Sequence, residues 1–291
     1  MQILEIIRSA FERSGERKNA ALDCEVLLAN VLGVEREYLI AHSEEEVDPD
    51  LVKLFEAYLA RREKGEPIAY ILKEKEFYGF DFYVDNRVLI PRPETELLVS
   101  LVLNYILKQQ EEDKSRTFKL LDIGTGSGAI PIAILKTLEN QENDCIKEFL
   151  ALEVDEGAAE VARLNVEQNS LEPAIKILQS DLLEVVEEGE SFDVIVTNLP
   201  YIATAKENKF IDHNVEKYEP SLALFAGEDG LDLYKKLFQQ IKEKGIDYKL
   251  FIGEFGFGQS EKMRELLTQF FDQRFALEKD YAGIDRFFVV Y

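Results

Sequence analysis

Apolar residues recur at helical spacing through the first part of the chain, then give way to short β-branched runs separated by turns and glycines. The spacing predicts helices over 2–13, 20–32 and 51–62. The last of these sets Leu51, Leu54, Phe55, Tyr58 and Leu59 on one face, and Asp48-Pro49 marks its start. A small helical bundle is therefore expected over residues 1–75. Runs 80–84 and 87–90 flank Asp85-Asn86 and predict a β-hairpin within a connector at 76–91. Pro93 and Glu94 then open a helix that turns Leu97, Leu98, Leu101, Val102 and Tyr105 inward. Strands are expected at 118–123, 148–154, 174–179, 192–197 and 248–254, most of them separated by helical stretches, and the tail adds 275–278 and 286–291. That pattern predicts an α/β fold over 76–291, with a seven-stranded, mostly parallel, Rossmann-like sheet.

Two of these strands end in residues that could do chemistry. Asp193-Val-Ile-Val-Thr-Asn-Leu-Pro-Tyr201 delivers a side-chain amide at Asn198, a backbone carbonyl at Leu199, a rigid ring at Pro200 and an aromatic face at Tyr201. Such a set can hold a planar nitrogen substrate. Asn-x-Pro is also ordinary turn punctuation after a buried strand, so this box alone leaves both readings open. Lys119-Leu-Leu-Asp-Ile-Gly-Thr-Gly-Ser-Gly-Ala-Ile-Pro-Ile-Ala-Ile-Leu135 reads as a buried strand, a glycine-dense turn and an apolar helix. Gly124, Gly126 and Gly128 alternate with Thr125 and Ser127, more glycine than a plain strand-to-helix turn needs. Missing Cβ atoms let a ligand approach the backbone closely.

The loop also fits the loose dinucleotide pattern, as Gly124-x-Gly126-x-x-Ala129. A pyrophosphate would be repelled by Asp122 at the mouth of the loop. S-adenosylmethionine has no phosphate; its ammonium and sulfonium suit a nearby carboxylate. Glu153, closing the strand at 148–154, is placed to accept hydrogen bonds from ribose hydroxyls. Asp181, after the strand at 174–179, could accept one from the adenine amino group, with Leu182 packed on the ring. Either acid alone reads as a solvated loop residue. Their recurrence at the carboxyl ends of successive strands is the signal, because open α/β sheets bind ligands along that edge. The cofactor set expected is Asp122, Gly124, Thr125, Gly126, Ser127, Gly128, Glu153, Asp181, Leu182 and Asn198. The catalytic set is Asn198, Leu199, Pro200 and Tyr201, with no metal.

Gly65-Glu-Pro-Ile-Ala-Tyr70, Val88-Leu-Ile-Pro-Arg-Pro-Glu-Thr-Glu96, the glycine loop, the Asn-Leu-Pro-Tyr box, Tyr218-Glu-Pro-Ser-Leu-Ala-Leu224, Glu254-Phe-Gly-Phe-Gly-Gln259 and Asp280-Tyr-Ala-Gly-Ile-Asp-Arg286 form a longer signature. It resembles the HemK/PrmC family of protein-(glutamine-N5) methyltransferases. The resemblance spans residue 65 to the C-terminus, and Ile-Pro-Arg-Pro-Glu-Thr-Glu is its most specific part. It implies methyl transfer from S-adenosylmethionine to the side-chain amide nitrogen of the glutamine in the Gly-Gly-Gln loop of peptide chain release factors. It also places the 90–95 stretch beside the cofactor pocket and gives the N-terminal bundle a part in holding the protein substrate. In that mechanism the Asn198 side-chain oxygen and the Leu199 carbonyl accept both amide hydrogens while Tyr201 stacks on the amide. Two positions depart from the family pattern. Leu199 stands where proline is usual, but a backbone carbonyl is supplied by any residue; Glu153 replaces the more common aspartate with a longer arm. RNA adenine dimethyltransferases share Asn-Leu-Pro-Tyr, so adenine-N6 methylation of DNA or RNA is one alternative. A non-catalytic, cofactor-binding assembly protein is another.

Composition narrows the field further. No apolar run approaches the ~20 residues that cross a bilayer, and Met1-Gln-Ile-Leu-Glu-Ile-Ile-Arg8 lacks a signal-peptide pattern. Two widely separated cysteines, Cys24 and Cys145, suggest reduced thiols in a cytoplasmic protein; a monomer with no membrane partner is expected. His42 and His213 are too few for a His-rich metal site. Formal charge is −23, from 57 acidic and 34 basic residues, which repels phosphates and argues against a nucleic-acid partner. The same field would steer a basic protein toward the chain. Raising ionic strength is accordingly expected to slow the association rate constant with a basic protein substrate in stopped-flow measurements; a salt-independent rate would remove steering from the account.

Overall fold

A computed structural model describes residues 1–14, 19–204 and 212–291. The chain divides into two compact units, Met1–Glu74 with Asp212–Tyr218, and Lys75–Ile211 with Glu219–Tyr291.

In the first unit, α1 (Ile3–Ser14), α2 (Ala20–Leu32), α3 (Arg36–Ala41), α4 (Pro49–Glu63) and α5 (Ile68–Leu72) pack around one apolar cluster. Ile3, Ile6 and Ala10 of α1, Cys24, Leu27 and Leu28 of α2, and Phe55 and Leu59 of α4 are buried there. Asp48 caps α4 by accepting the Asp50 backbone N–H at 2.7 Å, and Pro49 occupies the first turn where its missing N–H costs nothing. The buried stripe of α4 is narrower than its sequence suggests. Leu54, assigned to the apolar face, is 41% exposed. Arg62 donates to Asp23 at 2.7 Å and ties α4 to α2.

The second unit opens with a two-stranded hairpin, β1 (Glu74–Phe77) and β2 (Phe80–Tyr83). Its turn is Tyr78-Gly79, both at positive φ (55° and 78°), the left-handed pair that suits a two-residue hairpin loop. The hairpin expected around Asp85-Asn86, with a strand at 87–90 and a connector at 76–91, is therefore corrected. The physical reason is local: the Asp85 carboxylate accepts the Arg87 backbone N–H at 3.0 Å and its guanidinium at 2.7 Å, a closed side-chain turn that competes with strand pairing.

After α6 (Thr95–Glu112) the chain alternates: β3 (Phe118–Ile123), α7 (Ala129–Asn140), β4 (Ile146–Glu153), α8 (Glu156–Gln168), β5 (Ile175–Gln179) and β6 (Ser191–Thr197). Helix α9 (His213–Tyr218) belongs to the first unit, where the Tyr218 hydroxyl donates to the Lys64 carbonyl at 2.9 Å. Then come α10 (Asp232–Lys244), β7 (Asp247–Glu254), α11 (Ser260–Phe271), β8 (Phe275–Lys279) and β9 (Asp285–Val290). The seven strands lie in the order β5-β4-β3-β6-β7-β9-β8, parallel except for the pairings of β9 with β7 and β8. Alternation along the strands sends Phe118 and Leu120 to the face covered by α6 and α7, and Leu121 and Ile123 to the face covered by α10 and α11. On the second face Phe238 meets Phe251, Phe271 and Phe288 edge-on, with ring centroids 4.9–5.7 Å apart.

Strand order reverses between β3 and β6: the chain winds outward through β4 and β5 on one side and through β7 on the other. A crevice forms at such a switch point, beyond the carboxyl ends of the strands. Asn165 of α8 braces its rim. The buried amide accepts the Tyr83 N–H at 2.8 Å and donates to the Tyr83 carbonyl at 3.0 Å and the Ser127 carbonyl at 2.8 Å, linking the hairpin to the glycine turn. Asn165→Leu strands three backbone groups at once. It is expected to cost about 1–3 kcal/mol or more in denaturant unfolding, the range for a buried polar group left unpaired.

Candidate active site

A cavity of about 540 Å³ occupies the switch point, within the size range of small-molecule sites. Gly124, Thr125, Gly126 and Ser127 form one wall, Glu153 and the Ser180-Asp181-Leu182 run a second, and Asn198, Leu199 and Pro200 a third, with Arg92 from the segment before α6 and Thr95 at its first position. The glycine turn owes its tightness to its neighbour. Gly124 has φ 76°, and a Cβ there would lie 2.9 Å from Leu199 Cδ2, so the residue in the usual proline position packs directly on the turn. Gly128 has φ 79° and caps α7, but it does not line the cavity.

Asp122 does not line the cavity either, which corrects its expected place at the mouth of the loop. Strand alternation turns it to the same face as Phe118 and Leu120, where it is fully buried. Among the described residues neither of its carboxylate oxygens makes a hydrogen bond of ordinary geometry, nor does the Thr125 hydroxyl. Burial pushes the Asp122 carboxyl up to about 7; the nearby Thr125 hydroxyl opposes the shift and the Glu153 charge adds to it. Glu153 is also raised by burial, but backbone N–H groups oppose the shift. Its Oε1 accepts from Val154 (2.9 Å) and Asp155 (3.1 Å), and its Oε2 from Gly126 (2.9 Å). A carboxylate has about four acceptor sites, so Oε2 retains one toward the cavity. Asp181 pairs with Lys236 of α10, and both line the cavity, so the expected adenine acceptor already carries a cation. Leu182 is buried and has φ 54°, an uncommon conformation for a non-glycine residue.

The Asn-Leu-Pro-Tyr box is held from behind. Register pairs Thr197 of β6 with Gly253 of β7, which sets Asn198 beside Glu254. The Asn198 amide nitrogen donates to Thr95 Oγ1 at 2.9 Å and to Glu254 Oε2 at 3.2 Å; Thr95 Oγ1 donates to the same Oε2 at 2.7 Å. The Tyr201 hydroxyl donates to Glu254 Oε1 at 3.0 Å. Tyr201 does not line the cavity, and its hydroxyl is held by the hydrogen bond to Glu254. Burial raises its phenol pKa, and Glu254 adds to the rise. Gly230 is needed at φ 79° because a Cβ there would lie 2.2 Å from the Tyr201 carbonyl oxygen. Gln259 donates to that same carbonyl at 2.8 Å.

Arg92 donates to Glu219 at 2.6 Å, and Glu219 also accepts the Ile90 N–H at 3.1 Å, joining the Ile-Pro-Arg-Pro-Glu-Thr and Tyr-Glu-Pro segments. Sequence reasoning singled out those segments, but not the roles of Thr95, Glu219, Glu254 or Asn165. Nothing local in the sequence signals these contacts; Thr95 and Glu254 are 159 positions apart.

An acid whose folded pKa is raised keeps its proton while the unfolded carboxyl ionises near 3.8. The stability it contributes is present below that value and lost as pH rises to about 7. Asp122→Asn removes this titration. The unfolding free energy of the native chain should therefore fall relative to the variant across that window and level off above it, as urea denaturation at a series of pH values would read.

Residues 2–72 match the family model for the PrmC N-terminal domain and residues 99–220 that for the methyltransferase small domain. The release factor glutamine methyltransferase of Clostridium acetobutylicum is 36% identical, covering 91% of this chain and 88% of its own; that of Lactococcus lactis is 38% identical, covering 83% of each. Among solved structures, the N-terminal domain of human METTL16 in complex with SAH superposes with a TM-score of 0.52 at 19% identity, over 90% of this chain and 93% of that one, a likeness of fold. With identity of this order sustained over nearly the whole of both proteins, the chain belongs to the release factor glutamine methyltransferase family.

Proposed function

We propose that this chain is an S-adenosylmethionine-dependent methyltransferase that modifies the side-chain amide nitrogen of the glutamine in the Gly-Gly-Gln loop of peptide chain release factors. The observation that carries the reading is the orientation of Asn198. Its NH2 edge is engaged by Thr95 and Glu254, which leaves Oδ1 as an acceptor for a substrate at a cavity that Asn198 lines.

The cofactor fits what the chain offers. The backbone of Gly124 to Ser127 leaves room along one wall, Glu153 has an acceptor site for a ribose hydroxyl, and Leu182 supplies an apolar surface for the adenine. Asp122 and Thr125 hold buried polar atoms that make no hydrogen bond of ordinary geometry among the described residues, which a bound cationic group would complement electrostatically. When bound, S-adenosylmethionine supplies a methyl group on a sulfonium.

The remaining work falls to the chain. An amide nitrogen is a poor nucleophile because its lone pair is delocalised into the carbonyl, the resonance behind a rotation barrier of about 18–20 kcal/mol. Asn198 Oδ1 and the Leu199 carbonyl would accept both amide hydrogens, fixing the plane of the group and stabilising positive charge as it develops on nitrogen. Pro200 biases Leu199 toward an extended backbone, which keeps its carbonyl in place. The contribution is positioning and electrostatics, with no covalent bond between chain and substrate.

A net charge of −23 favours a protein substrate over a nucleic acid. The helical unit at the N-terminus is proposed to help hold that substrate, and the enzyme to act as a cytoplasmic monomer. Removing a preorganised hydrogen-bonding group of this sort costs about 10²–10³ in rate. Asn198→Ala is expected to lose at least that much methyl transfer to a release factor while still binding S-adenosylmethionine. Intact-mass analysis of the release factor and calorimetric titration of the cofactor read the two halves separately; undiminished turnover in the variant would refute the assignment.

A further inference from the structure

We propose that Glu254 is a positioning residue that decides which edge of the Asn198 amide faces the cavity, an inference that rests on the substrate reading above. An asparagine amide is nearly symmetric in shape, so packing alone does not distinguish oxygen inward from nitrogen inward. Glu254 breaks the symmetry. An ionised carboxylate accepts hydrogen bonds and cannot donate them, and the three groups that reach it, Thr95 Oγ1, Asn198 Nδ2 and Tyr201 Oη, are all neutral donors. Thr95 spends its proton on Glu254 and can only accept from Asn198. Every bond in the cluster therefore runs toward one buried charge, and Asn198 turns its NH2 edge to it.

The groups around Glu254 come from four places in the chain. Thr95 and Glu94 stand at the start of α6, Asn198 and Tyr201 follow β6, Tyr234 of α10 donates to the Glu254 carbonyl, and Arg286 of β9 acts at longer range. Arg286 is itself paired with Asp280. Burial raises the Glu254 carboxyl; the Thr95 and Tyr201 hydrogen bonds and Arg286 hold it down, and Glu94 pushes it up. On protonation Glu254 becomes a donor, and the Asn198 amide is free to reverse. A reversed Asn198 offers N–H to the substrate's N–H, and the site loses its acceptor.

The test uses the full-length enzyme with a release factor. Glu254→Met keeps an extended side chain and removes both acceptors; kcat is expected to fall about 10²-fold with cofactor affinity and substrate KM changed little. Because Glu254 acts through Asn198, the double variant N198A/E254M should be no slower than N198A, the non-additive signature of one shared interaction. The native enzyme is expected to lose kcat as pH drops through the titration of Glu254; Glu254→Gln, close to isosteric, should retain part of the rate but lose that dependence. Retention of native kcat by E254M, multiplication of the two losses in the double variant, or persistence of the acid limb in E254Q would each overturn the proposal. An arm independent of turnover keeps the two readings apart. The Asn198 side-chain NH2 signals in ¹⁵N NMR, assigned by their loss in N198A, should move with pH in the native protein and stay fixed in E254Q. Titrating signals with no methyl transfer by the native enzyme would sink the substrate reading and leave Glu254's role standing; signals that do not titrate would sink that role whatever the turnover.

Discussion

Parallel pairing of β3 with β6 is the constraint from which the site follows. The two strands run side by side in register until Ile123 lies opposite Thr197, and the Thr197 hydroxyl donates to the Ile123 carbonyl at 2.7 Å, pinning the ends together. Whatever follows each strand must then emerge at the same place. After β3 comes the glycine turn and after β6 the Asn-Leu-Pro-Tyr box, so a flexible backbone and a rigid, acceptor-bearing segment form two sides of one cavity. The contact between Gly124 and Leu199 is the closest expression of that arrangement: a Cβ on the glycine would meet the tip of the leucine side chain at 2.9 Å, and the positive φ of the turn itself favours glycine. Reversal of strand order at this pair opens the crevice, and the outer strands and covering helices keep the pair dry on both faces.

Around that crevice the chain buries four carboxylates, and it holds each in a different way. Glu219 has a full ion pair with Arg92 and a backbone donor. Glu153 has backbone N–H groups alone, contributed by the glycine turn and by its own strand end. Glu254 has neutral side-chain donors. Asp122 has none. Burying a charge without partners is costly, so this gradation runs opposite to what stability alone would favour. The most poorly compensated carboxylate sits directly behind the turn proposed to receive a cationic cofactor, where an incoming positive charge offsets the cost. The better compensated ones fix geometry: Glu153 shapes the turn, Glu219 ties together the two segments over the cavity, and Glu254 orients an amide.

Much of this was legible in the chain itself. Periodicity located α1, α2 and α4 of the first unit and the seven strands, because burial on one face or both imposes a 3.6- or 2-residue rhythm that any reader of the sequence can see; the short α3, α5 and α9 carry too few turns to show one. The glycine turn and the Asn-Leu-Pro-Tyr box were visible because their chemistry is carried by contiguous residues. The hairpin was misplaced by one turn, since Asp85-Asn86 and Tyr78-Gly79 both read as turn signals. Only the competition between Asp85's bond to Arg87 and strand pairing chose between them. Asp122 reads from the sequence as a residue at the mouth of the loop, whereas strand alternation buries it in β3, beside Thr125 and Glu153 of the cavity wall. Tyr201, Thr95, Glu254, Glu219 and Asn165 acquired their roles only in three dimensions. A hydrogen bond is specified by where two atoms meet, and these partners lie as much as 159 positions apart. The sequence determined which elements form and which chemical groups they carry; the tertiary structure alone decided which of those groups face one another, because side-chain direction is set by sheet register and packing and by nothing written locally in the chain.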